Sequence, residues 1–144
     1  MGILTNFVAA EEDEYEAIGE SLHPVDDWSG IERRGIDIAK MAVLHSLLTG
    51  DEYEQALYKC EPIYISYEGT LVLRMATEAV EKLAELDEDA LLNVASELAA
   101  TEAYELEQWD ADEVEDMVLA LAELAQLAES QGQAVFVWMH PLLT

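Results

Sequence analysis

Residues 112–140 read DEVEDMVLALAELAQLAESQGQAVFVWMH, and this stretch decides the fold. Asp112-Glu113-Val114-Glu115 opens a helix with acids in the first turn, where the positive end of the helix dipole favours them. Val114, Met117, Val118, Leu121, Leu124, Ala125 and Ala128 recur at the spacing of one helix face. Leu119, Ala122 and Leu127 widen that face beyond a single stripe, so the helix is expected to be largely buried. Gly132 can end it in a left-handed conformation. Ala134-Val135-Phe136-Val137-Trp138-Met139 then has the unbroken apolar character of a strand covered on both faces. A long buried helix running directly into a buried strand is the centre of a single core.

The elements upstream must supply what that pair packs against. Ile3 to Val8 has the composition of a first strand. Residues 10–22 read as a helix with Glu11, Glu12, Asp13 and Glu14 at its start, stopped by Pro24. Residues 23–34 read as a loop. Residues 35–49 form a strongly apolar helix closed by Gly50, and a short helix over 51–58 follows. Residues 62–67 and 70–74 read as strands about Glu68-Gly69, a hairpin turn. Thr77 is placed to cap a helix to residue 86, and Asp87 another to residue 100. Residues 101–110 are acidic and without a clear period. Helices and strands are mixed, but strict β-α-β alternation is missing. The expected fold is therefore α+β: one domain over 1–144, with a small mixed sheet of about four strands, about five helices, and the C-terminal helix–strand pair central.

With 144 residues and 51% apolar composition, the chain can bury a sizeable core. Charge is the unusual quantity: 32 acids face 6 bases, a net charge of −26. Such self-repulsion calls for counterions or a cationic partner. Direct nucleic-acid binding is not expected, since no basic patch exists to displace counterions from phosphates. An anionic membrane surface is disfavoured for the same reason. No apolar run approaches the ~20 residues that span a bilayer. Cys60 is the single cysteine, which precludes an internal disulfide and suits a reducing cytoplasm. No signal peptide is expected, because the start lacks a basic region and runs into Glu11-Glu12-Asp13-Glu14. Gly2 follows Met1, but Asn6 stands where a myristoylation signal needs Ser or Thr.

Among candidate sites, the acid runs come first. Asp87, Glu88 and Asp89, with Asp110, Asp112, Glu113, Glu115 and Asp116, could present a carboxylate face to a basic partner. The plainer account is helix N-termini and solvated faces. Asp110-Ala111-Asp112-Glu113 starts like a calcium loop, yet Glu115 occupies the position where such a loop needs glycine, so no metal is expected. No cofactor motif is found either. His45 shares a helix face with Ile38, Met41 and Leu48. A histidine there can act as base or ligand, or can simply pack against a hydrogen-bond partner. Arg33 and Arg34 form the only basic pair, able to grip an anion or to neutralise Asp26, Asp27 and Glu32. The spacing of His23, His45, Cys60 and His140 implies no convergence on a metal. Trp28 and Trp109 each adjoin an acid and read as loop anchors or binding surface. No phosphate loop, nucleophile elbow or zinc helix occurs.

Leu44-His45-Ser46-Leu47-Leu48-Thr49-Gly50 resembles the Leu-His-x-Leu-Leu-Thr-Gly helix end of the YfbM-like bacterial proteins, a family whose domain has no assigned function. The segment from Leu124 to Met139 is similar to that family's closing helix-glycine-strand, and Met1-Gly2-Ile3-Leu4 followed by an acidic helix is similar to its start. The family pattern carries an Asp-Lys pair and a tryptophan earlier in the His45 helix. Here Asp37 lies one residue out of register and Met41 takes the tryptophan's place. The resemblance implies a small α+β cytosolic protein and places His45 on the family motif.

The reading that best fits these features is a non-catalytic interaction module for a basic protein, of the immunity or inhibitor kind. Two alternatives stand beside it: an enzyme or small-ligand protein with His45 at a pocket, and an acidity that reflects adaptation to salt.

Overall fold

A computed structural model describes residues 3–141. Met1, Gly2 and residues 142–144 lie outside the described residues, and with them the Met1-Gly2 opening of the family-like start and the Gly2 acylation position. The fold is α+β, as expected. Among the described residues five strands, β1 (Leu4–Ala10), β2 (Ser29–Arg34), β3 (Tyr64–Ile65), β4 (Leu71–Arg74) and β5 (Ala134–His140), form one sheet in the order β2-β1-β5-β4-β3. Every pairing in it is antiparallel, so the sheet is not mixed. The helices are α1 (Tyr15–Glu20), α2 (Ile38–Thr49), α3 (Tyr53–Lys59), α4 (Thr77–Glu85), α5 (Glu88–Ala99), α6 (Glu102–Glu105) and α7 (Ala111–Ser130).

The C-terminal pair is central. Asp110 caps α7, its Oδ1 accepting from the Asp112 N–H at 3.0 Å. The helix ends in a Schellman motif: Gly132 takes φ 67°, Gln133 N–H reaches the Ala128 carbonyl, and Gly132 N–H reaches that of Glu129. Val114, Met117, Val118, Leu121 and Leu124 are all buried, each contributing ~1.5–3 kcal/mol by leaving water. The chain then enters β5 between β1 and β4, and all seven residues of β5, like all seven of β1, are buried. Phe7, Ala9, Leu73, Val135, Val137 and Met139 face the helices. Leu4, Val8, Val72, Phe136 and Trp138 face the other way, onto Ile18 of α1 and the half-buried Tyr15, Val25 and Trp28.

Four local expectations are corrected. The first helix does not begin at residue 10: Ala10 is the last residue of β1, a 3-10 turn covers Glu12–Glu14, and α1 starts at Tyr15. The 23–34 segment is not all loop, because Ser29–Arg34 pairs with β1 from Ala9↔Ser29 to Leu4↔Arg34. A polar strand on a sheet edge lacks the apolar alternation that betrays a strand. Thr77 does not cap α4; it is the first helical residue, and its Oγ1 accepts from Arg74. Of residues 62–67 only Tyr64 and Ile65 enter the ladder, closed by the Gly69 turn at φ 93°.

Candidate functional site

Helix α2 is apolar almost all round, so it is buried and carries its few polar residues inward. Asp37 caps it, accepting from Lys40 N–H at 2.9 Å. At the other end Gly50 turns left-handed at φ 83°, and its N–H bonds the Ser46 carbonyl. That reversal lays Asp51 back over the last turn. Thr49 Oγ1 donates to the His45 carbonyl and accepts from the Asp51 N–H, fixing the hook. As a result His45, 4% exposed, meets Asp51 through its Nε2 at 2.8 Å.

Lys59, at the end of α3, donates to the same Asp51 oxygen at 2.8 Å and to Glu78 of α4 at 3.0 Å. The cluster thus ties together the adjoining ends of three helices. Lys59 and then His45 hold the Asp51 carboxyl down at about 2, and Asp51 and Glu78 push the Lys59 ammonium up. An ionised Asp51 can only accept, so His45 Nε2 carries the proton in their bond. His45 Nε2 and carboxylate oxygens of Asp51 and Glu78 lie within 4.8 Å of one another, a spacing a cation can bridge. The Lys59 ammonium supplies the positive charge there.

Beside His45 is a cavity of about 10 Å³, lined by Met41, Cys60, Leu73, Met75 and Val137 among others. That is room for about one water molecule. Burial pushes the Cys60 thiol up to about 11, so it is a thiol and not a thiolate at neutral pH. His45 and Cys60 therefore do come together, contrary to their sequence spacing, but in an apolar lining. His23 and His140 lie elsewhere: His140 is buried at the end of β5, its ring 5.8 Å from that of Trp138.

Arg33 and Arg34 do not neutralise the 26–32 acids. They sit on β2, and Arg33 donates to the Glu32 carbonyl at 2.7 Å. His23 takes that role instead, with Nδ1 3.0 Å from Asp26 and Nε2 2.6 Å from Glu32, and the two carboxylates raise its pKa. Trp28 and Trp109 are both anchors. Trp28 Nε1 donates to Glu14 at 3.2 Å, and Trp109 stands edge-on to Tyr104 at 5.5 Å. Lys40, one of three lysines, is fully buried, 2.7 Å from Glu107.

Asp87, Glu88, Asp89, Asp110, Asp112, Glu113, Glu115 and Asp116 are all exposed. Asp87 and Asp110 also cap their helices. The two runs stand at opposite ends of the packed α5/α7 pair. Gln126 donates to the carbonyl of Ala84 in the last turn of α4, three residues before Asp87, and residue 126 lies roughly 20 Å along α7 from Asp112 at 1.5 Å per residue.

No periodicity or motif in the sequence marks Asp51 as the partner of His45, or Lys59 and Glu78 as members of its cluster. One signal was present: a helix-ending glycine at position 50 returns the next residue towards the preceding turn. A second feature is the exposed apolar Ile65 in the edge strand β3, with Ile63 and Tyr67 exposed on either side of it in the chain. The chain matches no family model, no curated protein and no solved structure.

Proposed function

We propose that this protein is a cytoplasmic, non-catalytic interaction module that takes a basic protein partner. The observation that carries the reading is uncompensated charge. Lys82 is the single base from Ala76 to Ser130, and among the described residues only Glu78 and Glu107 of that stretch enter ion pairs. The remaining carboxylates there point their charge outward, and neutrality must come from another molecule or from salt. Acids also crowd the opposite side of the sheet, at Glu11, Glu12, Asp13 and Glu16. This spread argues against imitation of a phosphate row, which needs charges every ~1.7 Å along one face. It favours a partner drawn by the overall negative field.

The pocket alternative has a histidine bonded to a carboxylate in its favour. The space beside it, however, admits about one water, so a substrate would require the α2–α3–α4 ends to part. The likeness to the YfbM-like proteins brings no assigned role to separate these readings.

The test is affinity capture at low and at high salt with mass-spectrometric identification, beside thermal melting across the same salt range. One stoichiometric basic partner, released by salt, is the expected result. No partner at either salt, with a melting temperature climbing steadily into molar salt, would replace this reading with adaptation to habitat.

A further inference from the structure

We infer that β3 is the docking edge for this partner, and that it receives an extended segment alternating apolar residues with Lys or Arg as a sixth strand of the sheet. The inference rests on the basic-partner reading and adds where and how the partner binds.

The two sheet edges are built differently. β2 presents Glu32, Arg33 and Arg34, and charged side chains on an edge discourage a further strand. β3 has no such guard. Ile65 lies in β3 at 64% exposure; Ile63, 45% exposed, precedes the strand, and the fully exposed Tyr67 stands in the turn after it. Ile65 pairs with Leu71, whose side chain packs with the helix-side core, so Ile65 continues that face of the sheet beyond the helices.

The backbone is available too. Ser66 N–H bonds the Thr70 carbonyl, which marks a hydrogen-bonded pair. By the alternation of an antiparallel ladder, the N–H and C=O of neighbouring Ile65 face away from β4, towards the open edge.

The other side of β3 is acidic. Tyr64 packs there, 2.5 Å from Glu20 through its hydroxyl, and the charges of Glu20 and Glu16 both act on that phenol. Next to it, between the end of α1 and the hairpin, is a hollow of about 110 Å³ lined by Glu20 and Glu68 and bordered by Leu22 and Tyr67. An incoming strand therefore meets the apolar side chain of Ile65 on one face and carboxylates on the other. Alternating apolar and cationic side chains satisfy both at once. A second copy of this chain does not suit the edge, since each copy carries −26 and the edge offers no cation to offset it.

The probe is a labelled peptide of alternating valine and lysine, compared by fluorescence anisotropy with a peptide of the same composition in two blocks. The alternating peptide should bind at least about tenfold tighter, weakening with salt. N-methylation of one alternate set of its residues should abolish binding and of the other set should not, because only one set points its N–H groups at β3. Ile65→Lys, at an exposed position where the fold is indifferent, should weaken binding about tenfold or more. Equal binding of the block peptide, indifference to methylation, or an unchanged Ile65→Lys variant would each overturn the docking edge, as would dimerisation of the protein alone through β3. If Ile65→Lys still captures a salt-released basic partner as wild type does, the interaction module stands and the edge assignment falls. If neither peptide binds and nothing is captured, both fall.

Discussion

Gly30→Ala sets two effects of opposite sign against each other. Gly30 does not take a positive φ, so alanine there would narrow the unfolded ensemble and by itself stabilise by about 0.4–1 kcal/mol. Against this, a Cβ at position 30 would lie 2.1 Å from the Phe7 carbonyl oxygen and 2.7 Å from Val8 Cγ1. The first neighbour is backbone of β1, held on its far side by β5, so it cannot swing away as a side chain can. β2 must retreat by roughly 1 Å to reach ordinary contact. That loosens the pairs around Val8↔Gly30. Two or three ladder hydrogen bonds at about 1 kcal/mol each amount to about 2–3 kcal/mol. The clash wins, and the variant is expected to be less stable by about 1–3 kcal/mol. Urea denaturation would show a lowered midpoint at unchanged slope. Amide exchange would quicken in β2 ahead of β5. A variant as stable as wild type, or more so, would refute the close pairing of β2 on β1.

Four further expectations concern the site and its surroundings. His45→Leu should cost about 1 kcal/mol, because Asp51 keeps Lys59, whereas His45→Ala opens a cavity and should cost about 2–4 kcal/mol; equal losses in urea melts would mean that the Asp51 bond outweighs packing. The His23 pKa is raised by Asp26 and Glu32, so its contribution to stability is complete below about 6.5 and fades as pH climbs through the raised value; a ring titration by NMR with its midpoint at or below 6.5 would contradict the two contacts. Asp51 has the opposite sign: its contribution is present above 3.8 and is lost as pH falls through about 2, so its carboxyl carbon should still report ionised at pH 3. Cys60, buried with its thiol pushed up to about 11, should react with a disulfide reagent at pH 8 only as fast as the protein opens, and rapid labelling of the native state would place it wrongly.

What could be read along the chain is what acts over a few residues. The period of Val114 to Ala128, the Gly132 stop and the apolar run of β5 gave a buried helix and a buried strand, and both stand at the centre of the molecule. Asp87 caps α5 and Gly50 closes α2 where local chemistry put them. The charge of −26 and its consequence for nucleic acid follow from composition alone. The tertiary structure decided the rest. Ser29–Arg34 is a strand only because β1 lies beside it, since nothing in a polar edge segment is periodic enough to announce pairing. His45, Asp51, Lys59 and Glu78 became one cluster only when the ends of α2, α3 and α4 met. Ile65 reads as ordinary strand in sequence; its exposure follows from the order β2-β1-β5-β4-β3, which leaves β3 outermost and past the helices. Periodicity and caps are local energies carried by neighbouring residues, whereas strand order depends on contacts between residues as far apart as Leu4 and His140, and no short window of sequence contains them.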